Sequence, residues 1–381
     1  MAIDISGYRA ESFATSGIST GRDPGLAPER ILAVIVLCQL LVVIGLRFLY
    51  PDTHPIDPLT TGLSAIAFLG VVVPICVILI CFCRVVQARP EGSATAALIR
   101  EIRPYVSDRR RLRNGLPVLA IFIPFMALFA HFKVNIPAMR PFSWDATFTA
   151  WDRTIFLGDL PYQWLSLVMS HPLAIFLTSA AYTAWFFIMC SSFLACAFMT
   201  TKTELRTHYL IAFFLVWLVE GNFLALVFSS AGPCYYALLG LAPDPYQPLM
   251  AALHHASLSY PMDLLSTQQR LWSGYIGEGM PVGISAMPSV HNGVAVLMAL
   301  AAWQVSRSLG IVFAVYAFWI FVGSISLAWH YAVDGLVALP VTLAIWVVSG
   351  LVARWWHGAD ARTFTWFAIR PAAGLSNGSP S

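Results

Sequence analysis

The chain has 381 residues, 58% of them apolar and 11% charged, with a mean hydropathy of +0.73, against roughly 45–50% apolar and about 25% charged in an ordinary water-soluble domain. That composition excludes a soluble globular enzyme. The formal net charge of +3 is small, and no nucleic-acid partner is expected.

Length alone allows two domains, but apolar runs of about 20 residues, each able to cross roughly 30 Å of hydrocarbon, consume nearly all of it. They are drawn near 31–50, 62–83, 115–132, 172–198, 208–229, 291–306, 309–329 and 335–353. The expected fold is therefore all-α: a polytopic membrane helical bundle of about eight transmembrane helices. Residues 1–29 are polar and Gly/Ser-rich and read as a disordered cytoplasmic segment. The first apolar run, Ile31 to Tyr50, exceeds a signal-peptide core and has no small-residue cleavage site behind it, so it is expected to stay as a span. Residues 30–114 then hold two helices and a basic loop, and 356–381 form a cytoplasmic tail.

Lys and Arg are retained on the cytoplasmic side of a membrane. With the N-terminus inside, only Arg47, Lys133, Arg140, Arg153 and Arg270 of the 22 Lys and Arg fall outside. The bias selects N-in, C-in. The inner loop 84–114 carries Ala94 to Arg103, an amphipathic stretch suited to the interface, ahead of the cluster Arg109-Arg-Arg-Leu-Arg113. Two long outer segments, 133–171 and 230–290, are rich in Trp, Tyr and Pro, as ordered interfacial structure is. Of the seven cysteines, Cys38, Cys76, Cys81, Cys83, Cys190 and Cys196 lie in apolar runs and only Cys234 in a loop. No disulfide framework or zinc spacing follows, and neither a metal nor another cofactor is expected.

Two elements carry chemistry: Met287-Pro-Ser-Val-His291-Asn-Gly293 and Trp329-His330-Tyr-Ala-Val-Asp334. On a helix the four-residue spacing of His330 and Asp334 puts both on one face. A carboxylate there can hold one imidazole N–H and leave the other nitrogen free as nucleophile or base. The same pair also reads as a plain marker of a span boundary. Pro288 and Ser289 suit the first turn of a helix, where free N–H groups and the positive dipole end can cradle a phosphate. A protonated His291 beside them could give a proton to a departing oxygen. In the expected topology His291, His330 and the segment from Lys133 to Asp152 meet on one side.

Pro-Ser-x-His followed about 40 residues later by His-x-x-x-Asp resembles the second and third signatures of the type 2 phosphatidic acid phosphatase superfamily. The resemblance implies a six-helix lipid phosphatase or phosphotransferase core, placed here at 115–355. It also implies a phosphohistidine formed on His330, with Asp334 orienting that ring and His291 as general acid and base. Lys133-Val-Asn-Ile-Pro-Ala-Met-Arg140-Pro141 is similar to the first signature, whose cations bind phosphate oxygens; both cations also suit interfacial anchors. The third signature normally opens with Ser-Arg, yet Gly323 and Ser324 stand there. Arg140, Arg153 or Arg270 is then left to supply the missing charge.

With that departure, the run Gly283 to His291 and the pairs Trp144-Asp145 and Trp151-Asp152 resemble the branch of inositol phosphorylceramide synthases and their bacterial relatives. That branch implies a role for Asp152 or Asp145, either of which reads equally as a helix cap. Ser289 joins Lys133, Arg140, Asp152 and Arg270 as a substrate-binding candidate. The substrate implied is a membrane lipid phosphate, with water or a lipid alcohol as acceptor, at the outer face of a bacterial inner membrane. A transporter is the alternative from another class, but no internal repeat supports it. Glu220, within the fifth span, must face the bundle, either bonded to another helix or lining the headgroup cleft.

Overall fold

The computed structural model describes residues 27–51, 53, 58–90, 92–169 and 171–358, so the expectations for the N-terminal segment before Ala27 and for the tail beyond Gly358 lie outside the described residues. Each expected span is a helix: α1 (Ala27–Leu49), α2 (Pro58–Ala88), α4 (Arg109–Met139), α7 (Pro172–Ala197), α8 (Thr203–Leu218), α12 (Val290–Val305), α13 (Arg307–Ser326) and α14 (Ala332–His357). Among the described residues, seven helices are long and apolar enough to cross a membrane, and α12, at 16 residues, is a shorter apolar helix. The chain is a polytopic helical bundle, with no strand among the described residues.

The remaining helices fill the loops that were expected to be ordered. Between α2 and α4, α3 (Ala94–Ser107) starts where the Ser93 hydroxyl accepts from Ala96 N at 3.4 Å. Beyond α4 come α5 (Asp145–Ile155) and α6 (Pro161–Met169); beyond α8 come α9 (Ala225–Val227), α10 (Gln247–Ser259) and α11 (Leu264–Tyr275). The fifth span does not run as one regular helix. It passes through a π-helical turn, Val219–Leu224, before α9. Such a turn adds a residue to the helical ladder and often accompanies a functional position; here it carries Glu220.

Short polar side chains start the helices that frame the site. Asp108 accepts from Arg110 N (2.8 Å) at the head of α4, His171 Nδ1 from Leu173 N (3.1 Å) at α7, and Ser306 from Leu309 N (3.2 Å) at α13. Each answers a backbone donor that a helix start leaves unpaired. Helix α12 packs along α13 and α14, α14 along α8, and α2 along α7 and α4. The end of α4, the start of α7, the π-turn after α8, the start of α12, the end of α13 and the start of α14 meet at one end of the bundle, where α11 lies across them. The opposite end is closed by buried Arg206, which donates to Ala197 O (3.1 Å), Asn114 O (2.7 Å) and Glu29 Oε1 (2.6 Å).

Candidate active site

The turn between α13 and α14 is built by backbone geometry. Helix α13 ends with Leu327 N bonded to Gly323 O, Ala328 N to Ile325 O and Trp329 N to Ser324 O, and Ala328 takes the left-handed conformation (φ 60). This is the hydrogen-bond pattern that closes a helix through one left-handed residue, and it turns the chain so that His330, two residues on, joins the cavity wall. His330 N also bonds to Ser324 O, at 3.0 Å. Ser324, at the place of the missing arginine, is thus a fully buried strut. Its hydroxyl donates to Phe321 O (2.7 Å) and accepts from Asn292 Nδ2 (3.3 Å), tying α13 to α12.

His330 Nδ1 lies 3.1 Å from Asp334 Oδ2, which also accepts from Tyr331 N at 3.1 Å. The Asp334 carboxylate therefore fixes both the ring and the first turn of α14. Burial, with the Lys133 ammonium acting in the same sense, pushes the His330 imidazolium down to about 3; the Ala286 carbonyl, which bonds the ring, opposes this. A ring so placed is neutral near pH 7, the state a nucleophile requires. His291, the second residue of α12, is stacked on Tyr182 (centroids 4.8 Å apart) and lies tilted against Trp185 (4.2 Å), and its centroid is 6.0 Å from that of His330.

These two histidines, Lys133, Tyr182, Trp185 and Trp217 share the wall of a cavity of about 440 Å³. Lys133 is the one Lys or Arg among its lining residues. Its ammonium sits 5.7 Å from the Phe129 ring centroid, and no ion pair forms on it among the described residues. Gly283 passes so close that a Cβ there would collide with Lys133. Helix α11 closes the rim with Asp263, Leu264, Thr267 and Leu271.

The other candidates stand around this wall. Ser289 is buried as the N-cap of α12, its hydroxyl accepting from Asn292 N (3.4 Å) and its N–H donating to Asp334 O (3.3 Å). Arg140 ends α4 at an exposed position, its carbonyl accepting from Ser229 Oγ (2.8 Å). Arg270 is exposed on α11, bonded to Thr267 Oγ1 (3.0 Å) and 3.8 Å from Asp263 Oδ2. Asp152 accepts from Ala332 N (2.8 Å) and Val333 N (2.9 Å), capping α14 from a different helix. Burial raises its pKa to about 7; those two N–H groups resist the rise and Asp334 adds to it. Asp145 accepts from Ala231 N (3.0 Å), Gly232 N (2.8 Å) and the Tyr331 hydroxyl (2.8 Å), and burial raises its pKa as well. Gly232 has φ +111, and a Cβ there would meet the Trp329 carbonyl, so only glycine brings that N–H to Asp145. Glu220, deeper in the bundle, accepts from Thr342 Oγ1 of α14 at 2.7 Å.

Sequence reasoning did not single out Tyr182, Trp185 or Trp217, which wall the cavity from α7 and α8. The signal present was the spacing of Tyr182 and Trp185, three residues apart on one helical face within an otherwise uniform apolar span.

A cavity holding two adjacent histidines and one fixed cation at the end of a bundle of apolar helices is the setting of a membrane lipid phosphatase-type protein, and the family comparison supports that class. The model of the PAP2 superfamily matches residues 146–348, more than half of the chain, and the chain belongs to that superfamily. The matched region holds His291, His330 and Asp334 and leaves out Lys133, Arg140 and Asp145. No match was found among curated proteins or among solved structures.

Proposed function

We propose that this protein transfers the phosphoryl group of a membrane lipid phosphate through a phosphohistidine on His330, at the outer face of the membrane. The observation that carries the reading is the buried His330–Asp334 pair set beside His291 in a cavity whose one fixed cation is Lys133. Asp334 holds the Nδ1–H, so Nε2 presents its lone pair to phosphorus. The N–P bond forms as the ester P–O bond breaks, and the departing alkoxide takes its proton from His291. Lys133 offsets charge on the transferring oxygens. His291 then removes a proton from the acceptor hydroxyl, whose oxygen displaces His330 from phosphorus and restores the free ring.

The acceptor is water in a phosphatase and a lipid alcohol in a transferase. The inositol phosphorylceramide synthase-like branch is the reading preferred here, because Ser324 replaces the phosphate-clamping arginine. A headgroup entering past α11 would meet Arg270, which is exposed and joined to the rim residues Asp263 and Thr267. Asp145 and Asp152 position the machinery by holding Tyr331 and the start of α14. The test is purified protein given a panel of radiolabelled phospholipids and polyprenyl phosphates, wild type beside His330→Ala. Free phosphate identifies a phosphatase, and label on a new lipid identifies the transferase. Equal outcomes for wild type and variant on every lipid would remove the catalytic reading.

A further inference from the structure

A second cavity, of about 420 Å³, opens beside the first, and every residue lining it is apolar. Its walls are α2 (Val72, Val73), α4 (Ala127, Ala130), α7 (Met189) and α8 (Phe213). Phe186 and Trp217 line both cavities, so the apolar cleft lies against the histidine cavity and shares a wall with it. On α4 the cleft extends to Leu119, fourteen residues before Lys133, a rise of about 21 Å at 1.5 Å per residue. That exceeds half of the roughly 30 Å hydrocarbon thickness of a bilayer. Helices α2 and α4 lie outside residues 146–348, the part of the chain that the superfamily model covers.

From this shared wall and the apolar lining we infer that the cleft between α2, α4, α7 and α8 holds one long hydrocarbon chain of the lipid whose phosphate lies at Lys133 and His330. Chain selectivity then resides in helices added to the matched core. The inference rests on the lipid-phosphate reading of the same site, and it adds where the tail lies and that a long extended chain is required. Short tails leave the lower cleft empty, and large side chains at Ala127, Ala130 or Val73 shorten it. Ala130 faces the open cleft at an exposed position and is absent from the histidine cavity's wall, so Ala130→Phe obstructs the tail and spares the chemistry.

Two measurements on the full-length protein test this. The first is kcat/KM for butyl, octyl, dodecyl and hexadecyl phosphate in wild type, Ala130→Phe and Val73→Phe. The expected result is a steep rise with chain length in wild type, a loss of about tenfold or more on the longest substrate in the variants, and no change on butyl phosphate. Equal losses on short and long substrates, or no loss on either, overturn the inference. The second does not need turnover: hexadecyl phosphate with a terminal diazirine is photolysed on wild type and on His330→Ala, and the labelled peptides are sequenced. Label on α4 and α7 around Leu119, Phe122 and Phe193 supports the tail site. Label in the separate groove of α12, α13 and α14 beside Asn292 and Gly335, or scattered label, overturns it. If all four phosphates are inert while the label still maps to the cleft, the catalytic reading fails and the tail site stands.

Discussion

The two ends of the bundle each hold a cation, and they treat it differently. At the closed end Arg206 is buried, with its Nε and Nη2 answered by Glu29 and two main-chain carbonyls. At the other end Lys133 faces a cavity with no carboxylate paired to it among the described residues, while the acids nearby are occupied with backbone N–H groups and with His330. A buried charge with full partners is a structural joint, and removing one partner is strongly destabilising. A cation at a cavity wall with an aromatic ring beside it, and no paired carboxylate among the described residues, is instead available to a ligand's negative charge. The contrast separates the part of the molecule that holds shape from the part that the proposed function assigns to substrate.

The largest effect is expected at His330. His330→Ala should lower phosphate release or transfer by at least about 10⁴-fold, as loss of a covalent nucleophile does, and trapping of a phosphorylated protein by an alkaline detergent quench, which spares the P–N bond, should show label in wild type alone. At the closed end, Arg206→Met should cost about 3–5 kcal/mol of stability by leaving Glu29 unanswered, with kcat/KM per folded molecule unchanged; a loss of kcat/KM with unaltered unfolding would break the comparison. Lys133→Met should do the reverse, lowering kcat/KM by about 10²–10³-fold without lowering the unfolding temperature. A Lys133 variant that unfolds early but turns over normally would assign that cation to structure.

Smaller effects sharpen the same division. Asp145→Asn removes part of an acceptor shared by Ala231, Gly232 and Tyr331 and should cost about 1–3 kcal/mol, read by chemical denaturation. Asp152 has the smallest and most specific signature. Its folded pKa of about 7 lies above that of an unfolded carboxyl near 3.9, so the folded state binds the extra proton. Its contribution to stability is therefore fully present below the unfolded value and is lost as pH rises toward about 7. The unfolding temperature of wild type minus that of Asp152→Asn should fall between about pH 4 and about pH 7 and then level off. A difference that rises over that window would mean the carboxylate is charged in the folded protein throughout.

The family match, residues 146–348, places the chain in the superfamily whose signatures the sequence displayed around His291 and His330. The eight apolar runs were equally legible, because twenty-residue hydrophobic stretches have few other stable forms. The loop helices were less so. Segments such as 247–259 and 264–275 became α10 and α11 by resting on the bundle, and local pattern says little about that.

What the sequence determined by itself was the set of membrane helices, since hydrophobic length is a local property. His330 and Asp334 do pair, but His330 precedes α14, so the turn and the reach of Asp334 back from the first turn of α14 make the contact, not a shared helical face. What only the tertiary structure decided was which distant groups share a space. Asp152 reaches the N–H groups of Ala332 and Val333, Ser324 becomes a strut between helices, and Lys133 alone of the basic candidates enters the cavity wall. Each depends on how segments far apart in the chain pack together, and no single span encodes that packing.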